Sequence, residues 1–191
     1  MPRLIDPEGR TATLVAAINY VLARDGVAGL SLRAIARESR VSTSSMLHHF
    51  DSRDRLLRIA ARMTGEARLD AIDRRADREG ACAFLPAPGD DEDLVNARAW
   101  LAWCELWRSE DTIGETMSRN RDHERLLLAS VLGVRLRSQD LTPVVALIDG
   151  LMVSVCAPKR PLPRERARAL LEAFVAQGQW SGLPGAGPEL S

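Results

Sequence analysis

The residues best equipped for chemistry in this 191-residue chain lie in one stretch, positions 31–50, SLRAIARESRVSTSSMLHHF. Ser42, Thr43, Ser44 and Ser45 stand in a row where the pattern starts a short helix. Short hydroxyl side chains let a backbone come close to DNA, and hydroxyls with helix N-terminal amides are suited to holding phosphate. His48 and His49 close the same helix, and the chain's one other histidine is His123. They therefore read as phosphate or packing groups, not as metal ligands. A second group is Trp100, Trp103 and Trp107, which recur at i, i+3 and i+7 and share one helical face. Such a face is either core packing against a neighbouring helix or the lining of an aromatic pocket, and a tryptophan face attracts cations.

Helices must position both groups. The first is expected to open at Asp6-Pro7, an acceptor N-cap followed by proline at the first helical position. Its apolar stripe is Leu14, Ile18, Val21 and Leu22, and Gly26 stops it. Ser31 caps a second helix over 32–39, with Leu32, Ile35 and Ala36 inward, and Ser42 caps a third to about His49. Two short helices joined by a three- to four-residue turn make a helix-turn-helix. Ala36 is small where the two would cross, and Val41 and Met46 would pin the second to the first. A long fourth helix opens at Asp51 or Ser52, with Leu56, Ile59, Ala60, Met63, Ala67 and Ile72 in its stripe.

Residues 79–93 turn to Gly, Pro and acid and read as a loop. Beyond them, helices are expected near 94–108, 112–138 (either continuous or broken near Asn120), 142–156 and 163–178, then a disordered Gly/Pro-rich tail. The segment VVALIDGLMVSV, 144–155, is apolar nearly all round, so its helix must be buried on several sides. Ala146 and Gly150 would permit close helix approach there, and Ala167, Leu170, Leu171 and Phe174 form the stripe of the last helix.

The bulk numbers agree with an all-α fold. Hydrophobic residues make up 46% of the chain and aromatics 4%, and alternating β-type runs are nearly absent. No apolar run reaches the roughly 18 residues that span a bilayer, and no charged-then-apolar leader precedes the first helix, so a cytoplasmic protein off the membrane is expected. Cys82, Cys104 and Cys156 are far apart, without CxxC spacing, which fits a reducing compartment. Net charge is zero, yet residues 1–62 carry ten Arg against six Asp and Glu. A basic amino-terminal third on an acidic body suits a chain of which one end meets phosphate. Nothing suggests catalysis: there is no Gly-rich phosphate loop, nucleophile elbow, metal-ligand spacing or Ser/His/acid order. The acids Asp90 to Asp93 read as solvated surface, and no cofactor or metal is expected.

The segment GVAGLSLRAIARESRVSTSSMLHHFDSRDRLL resembles the helix-turn-helix signature of the TetR family of repressors, a likeness covering about residues 10–62. The resemblance implies that Arg33 reaches base edges or phosphate, that Thr43, Ser44, Ser45 and His49 face the major groove or its backbone, and that Arg53 contacts phosphate. Ser42, Leu47 and His48 complete the candidate DNA-binding set. Three positions depart from the family pattern: Arg40 stands at the usual turn glycine, Ser44 where Gly or Pro is common, and Leu47 in place of a phosphate-contacting aromatic.

A second, looser resemblance runs over about 95–178. There WLAWCELWRSED, SRNRDHERLL and ALIDGL resemble the regulatory domain of choline-responsive repressors of betaine genes within that family. In the TetR family the last two helices pair with their copies in a four-helix dimer interface. The family resemblance therefore implies that role for 142–156 and 163–178, with filling of one chain's own core as the alternative. A dimer would set two reading heads about 34–36 Å apart on a palindromic operator. The looser resemblance implies a small-molecule pocket with candidate lining Trp100, Trp103, Trp107, Glu105, Met117, Arg121, Asp149 and Met152. Either carboxylate could balance a cationic effector, although Asp149 could equally serve a helix end or a dimer partner.

The expected organisation is a DNA-binding domain over 1–52, an effector-binding and dimerisation domain over 53–179, and a flexible tail over 180–191. The expected function is that of a homodimeric repressor released from double-stranded DNA by a small molecule. The rival is a helical protein-interaction module that does not bind DNA, for which Arg40 and Leu47 are the motivating departures.

Overall fold

A computed structural model describes residues 7–134 and 140–178. The expected cap Asp6, the end of the 112–138 helix and the tail over 180–191 lie outside the described residues. Among the described residues eight α-helices run in the order α1 (Pro7–Asp25), α2 (Leu32–Ser39), α3 (Thr43–Phe50), α4 (Arg53–Glu79), α5 (Asp91–Trp107), α6 (Gly114–Val131), α7 (Thr142–Cys156) and α8 (Arg164–Ala176). Short 3₁₀ turns occupy Val27–Gly29, Gly80–Phe84 and Asp111–Ile113, and no strand occurs among the described residues. The fold is all-α, with the helix-turn-helix at its amino-terminal end. No described helix is long and apolar enough to cross a membrane.

Local chemistry explains the boundaries around α2 and α3. α1 ends because Gly26 adopts φ 67° and ψ −170°, a conformation that a Cβ disfavours. Three serines then cap three helices in succession. Ser31 Oγ accepts from the Ala34 amide at 3.1 Å, Ser42 Oγ from Ser45 at 3.2 Å and Ser52 Oγ from Arg55 at 3.1 Å. Each satisfies an amide with no partner in the first turn, a contribution of about 1 kcal/mol. Arg40, at the end of α2, is left-handed with φ 57° and ψ 25°. A side chain there costs about 1 kcal/mol relative to glycine.

The described residues gather into two compact units. One takes in residues up to Arg68 and Asp91–Asn120; the other takes in Leu69–Asp90 and the chain from Arg121 onward. The first half of α4, all of α5 and the start of α6 thus pack with α1, α2 and α3. In the first unit the expected α1 stripe of Leu14, Ile18, Val21 and Leu22 is buried. It shares its core with Ile35, Met46, Phe50, Leu56, Leu57, Trp100 and Trp103.

Three expectations need correction. The inward side of α4 is wider than the expected stripe, of which Leu56, Ala60 and Ile72 are buried. Leu57, Ala61, Thr64 and Gly65 are buried with Leu56 and Ala60, whereas Ile59 and Met63 are half-buried and Ala67 is exposed. The small and polar residues are drawn in by specific partners. Asn120 Nδ2 donates to Ala61 O at 3.1 Å, and a Cβ on Gly65 would intrude into the Asn120 amide. α2 likewise buries Ala34 with Ile35, leaving Leu32 and Ala36 half-buried.

The second correction concerns residues 79–93, which are not one surface loop. Ala81 to Pro86 are buried in the second unit. Arg75 Nη2 donates to Ala83 O at 2.5 Å, and Arg168 Nη1 donates to Cys82 O at 3.1 Å and pairs with Glu79 at 3.0 Å. The acids Asp91, Glu92 and Asp93 already belong to the first turn of α5, where carboxylates complement the helix dipole. Third, α6 is continuous through Asn120 and ends at Val131, with Gly133 at φ 66° closing it. There the Val134 amide reaches back to Ala129 O at 2.9 Å, the long bond of a Schellman motif. The helix over 142–156 spans the residues expected.

Candidate functional site

On α3, Met46 and Phe50 turn inward and are buried. Ser44, Leu47 and His48 lie together on the opposite, exposed face, and Ser42 is exposed at the N-terminus. The remaining candidates occupy the flanks. Thr43 is half-buried. Ser45 Oγ accepts from Arg10 Nη1 at 3.2 Å, and His49 Nε2 lies 3.2 Å from Thr11 Oγ1. The His49 ring also meets Phe50 edge-on, with centroids 4.6 Å apart. Ser45 and His49 are thus tied back to α1, and the free face of α3 is built from Ser44, Leu47 and His48. Arg33 is exposed on α2. Arg53, at the start of α4, donates from Nη2 to Glu110 Oε1 at 2.8 Å. Arg10, Thr11 and Glu110 escaped the sequence reading because they lie 35, 38 and 57 residues from their partners.

The tryptophans of α5 are arranged otherwise. Trp100 and Trp103 are 2% and 0% exposed, and Trp107 is half-buried. Trp103 Nε1–H donates to Asn19 Oδ1 at 2.8 Å, and Thr64 Oγ1 donates to the same oxygen at 3.0 Å. One amide oxygen of α1 thereby joins α5 to α4. The Arg68 guanidinium carbon lies 5.2 Å from the Trp100 ring centroid, a cation–π contact. Met117 is buried on α6, and Glu105 is exposed on α5.

The other candidates lie in the second unit. Arg121 grips Asp149 with both terminal nitrogens, at 3.2 and 2.5 Å, and Glu124 at 2.8 Å. The Asp149 carboxylate is therefore matched to a guanidinium, and Met152 is buried. On α7, Ala146, Gly150 and Val153 form an exposed stripe at i, i+4 and i+7, and Leu170 and Ala173 are exposed on α8. Nothing lies within 4 Å of a Cβ built on Gly150. Burial pushes the Cys82 thiol up to about 11, so it remains protonated and unreactive at neutral pH.

Residues 14–59 match the family described as bacterial regulatory proteins, tetR family, and residues 78–178 match the BetI-type transcriptional repressor C-terminal family. The chain is 25% identical over 190 residues to the HTH-type transcriptional regulator BetI of Escherichia coli K12, covering 93% of this chain and 97% of that one. Among solved structures, a protein of Pseudomonas aeruginosa PAO1 described as a transcriptional regulator is 26% identical, with a TM-score of 0.71 and 94% of both chains covered. A Saccharomonospora viridis protein, also described as a transcriptional regulator and solved in complex with choline, is 23% identical. It has a TM-score of 0.70, with 90% of this chain and 97% of that chain covered.

Proposed function

The chain belongs to the TetR family of bacterial regulatory proteins, with a BetI-type repressor C-terminal region, and from that membership we propose how it works: a homodimer grips a palindromic operator and lets go when a small cation binds its body. It is a DNA-binding transcriptional regulator and not an enzyme. Working on operator DNA, it acts in the cytoplasm. Residues 1–52 make the reading domain, and the chain from 53 to 179 serves effector binding and dimerisation.

The observation that carries this reading is the free face of α3. Ser44, Leu47 and His48 stand exposed on a helix whose opposite side is locked by buried Met46 and Phe50. A rigid helix with an exposed mixed face is what a major groove accepts. Ser42 and the first-turn amides meet a phosphate, Arg33 reaches the groove edge, and Arg53 meets the backbone beyond it. Ser45 and His49 hold α3 on α1 and so set the angle at which it enters. The α7 stripe of Ala146, Gly150 and Val153 and the exposed Leu170 of α8 meet their copies in the dimer. That pairing spaces two reading heads for successive major grooves.

The effector is proposed to be a quaternary ammonium compound of the choline type. Trp100 already faces one cation, the Arg68 guanidinium, and the Saccharomonospora relative was solved with choline. A ligand at this aromatic face displaces Arg68 and disturbs α4, the helix that follows the reading head. Releasing the operator fully takes a preference of about 5.5 kcal/mol for the DNA-incompetent form.

The test is fluorescence anisotropy of DNA from upstream of the gene, titrated with the full chain at stepped salt against random competitor. A reader binds its operator in preference to competitor, with a negative salt slope, and choline-like cations added to the complex lower the anisotropy. Equal binding to both DNAs, or none at low salt, rejects the function. Operator binding that no quaternary ammonium relieves rejects the effector class alone.

A further inference from the structure

Arg53 follows α3 directly, and the carboxylate it pairs with, Glu110, lies 57 residues away in sequence. Glu110 sits in the turn after α5, where its own amide is bonded to Leu106 O at 2.9 Å. Its carboxylate is thus carried on an ordered, hydrogen-bonded turn. The contact is a direct ion pair at 2.8 Å that stays within reach of solvent, with Arg53 38% and Glu110 26% exposed. Arg55, two residues along, is instead paired with Asp51 on its own turn.

We propose that Glu110 is an internal stand-in for an operator phosphate: it occupies the Arg53 guanidinium while DNA is absent and must be displaced when DNA binds, so it holds operator affinity down. The proposal rests on the DNA-reading function above and on Arg53 as a phosphate contact. A carboxylate and a phosphate present the same kind of oxygen fork to a guanidinium. Whatever binding Arg53 gains from phosphate is reduced by the pair it gives up. Glu110 also follows Trp107 by three residues, in the same compact unit as Arg53. A ligand that shifts the end of α5 therefore changes the hold on Arg53 without passing through the core of the reading head.

The experiment is a double-mutant cycle on operator binding, with the full-length dimer, the upstream DNA and four proteins: wild type, E110Q, R53A and R53A/E110Q. The pair is partly exposed and present once in each protomer, so E110Q should bind operator about two- to thirtyfold more tightly. R53A should bind more weakly, its salt slope shallower by about one unit for each phosphate that Arg53 would neutralise. The double variant should match R53A, because no guanidinium remains to be released. Thermal melts of the same four proteins, with E110A as a second substitution, identify any variant that is damaged instead of retuned.

Weaker binding by E110Q overturns the proposal, since Glu110 would then be positioning Arg53 for DNA. Unchanged binding overturns it as well. A gain that persists undiminished in the R53A background also overturns it, by tracing the effect to general loss of negative charge. If wild type binds operator but R53A binds equally well, this proposal fails and the reader function stands. If wild type shows no operator preference, the function itself fails and takes the proposal with it.

Discussion

α3 and α5 belong to the same compact unit, yet their distinctive side chains are used in opposite ways. On α3 the polar residues Ser44 and His48 stay exposed with Leu47, and the helix is held by what lies behind them. On α5 the distinctive residues are themselves the packing: Trp100 and Trp103 are almost fully buried, and the Trp103 indole N–H is spent on Asn19. The exposed face of α3 can therefore vary with little effect on the fold, which suits the groove contact proposed for it. The aromatic face has no such freedom. If α5 takes the effector proposed above, that ligand engages the core of the unit that also holds α3.

The sharpest way to break this contrast is Trp103→Ala. Removing so large a buried side chain should cost about 3–5 kcal/mol, read as a lower urea midpoint of the DNA-free protein. Trp103→Phe should cost less, about 1–3 kcal/mol, chiefly by leaving the Asn19 amide short of a donor. If either variant unfolds like wild type, Trp103 is not structural and the contrast fails.

The opposite result is expected on α3. Ser44→Ala and His48→Ala should leave stability within about 0.5 kcal/mol of wild type, while each lowers operator affinity by about 1 kcal/mol or more. Parallel melts and anisotropy titrations separate the two effects, and a large loss of stability from either substitution would place α3 in the same class as α5.

A smaller effect tests the turn between α2 and α3. Arg40→Gly relieves the left-handed strain and should raise stability by up to about 1 kcal/mol. No gain would mean that the side chain makes up for its backbone.

The smallest expected effect is with acid. The bond from Arg24 holds the Asp25 carboxyl below its usual range, and the Thr142 hydroxyl and amide do the same for Asp140. Both favour the charged form in the fold. Their contribution is complete above the ordinary carboxylate value of about 3.9 and is lost as pH falls through the lowered folded values. Melting temperature should decline gently in that window, and Asp140→Asn should flatten the decline. A variant with an unchanged acid profile would remove Asp140 from the account.

Much of this architecture was legible in the residues. Pro7, Gly26 and the serine caps at 31, 42 and 52 each act within a turn of the chain, and the apolar run over 144–155 marked its helix just as locally. The TetR-type signature was legible for the same reason, since it is a run of neighbouring residues with fixed order. The corrections fall where that reach ends. Composition marked 79–93 as a loop, but Ala81 to Pro86 are buried, with their carbonyls bonded by Arg75 and by Arg168, the latter 86 residues from Cys82. Periodicity placed Met63 and Ala67 inward on α4, but Asn19 and Asn120 draw Thr64 and Gly65 in instead.

The sequence by itself thus determined the helices, their caps, the helix-turn-helix and the family, because backbone hydrogen bonding and helical periodicity are short-range and written in adjacent side chains. Only the tertiary structure decided which face of α3 is free, which tryptophans are core, and that Arg53 is held by Glu110. Those outcomes depend on which polar groups find partners when helices pack. Trp103 meets Asn19 across 84 residues and Arg53 meets Glu110 across 57, and no local pattern encodes such a pairing.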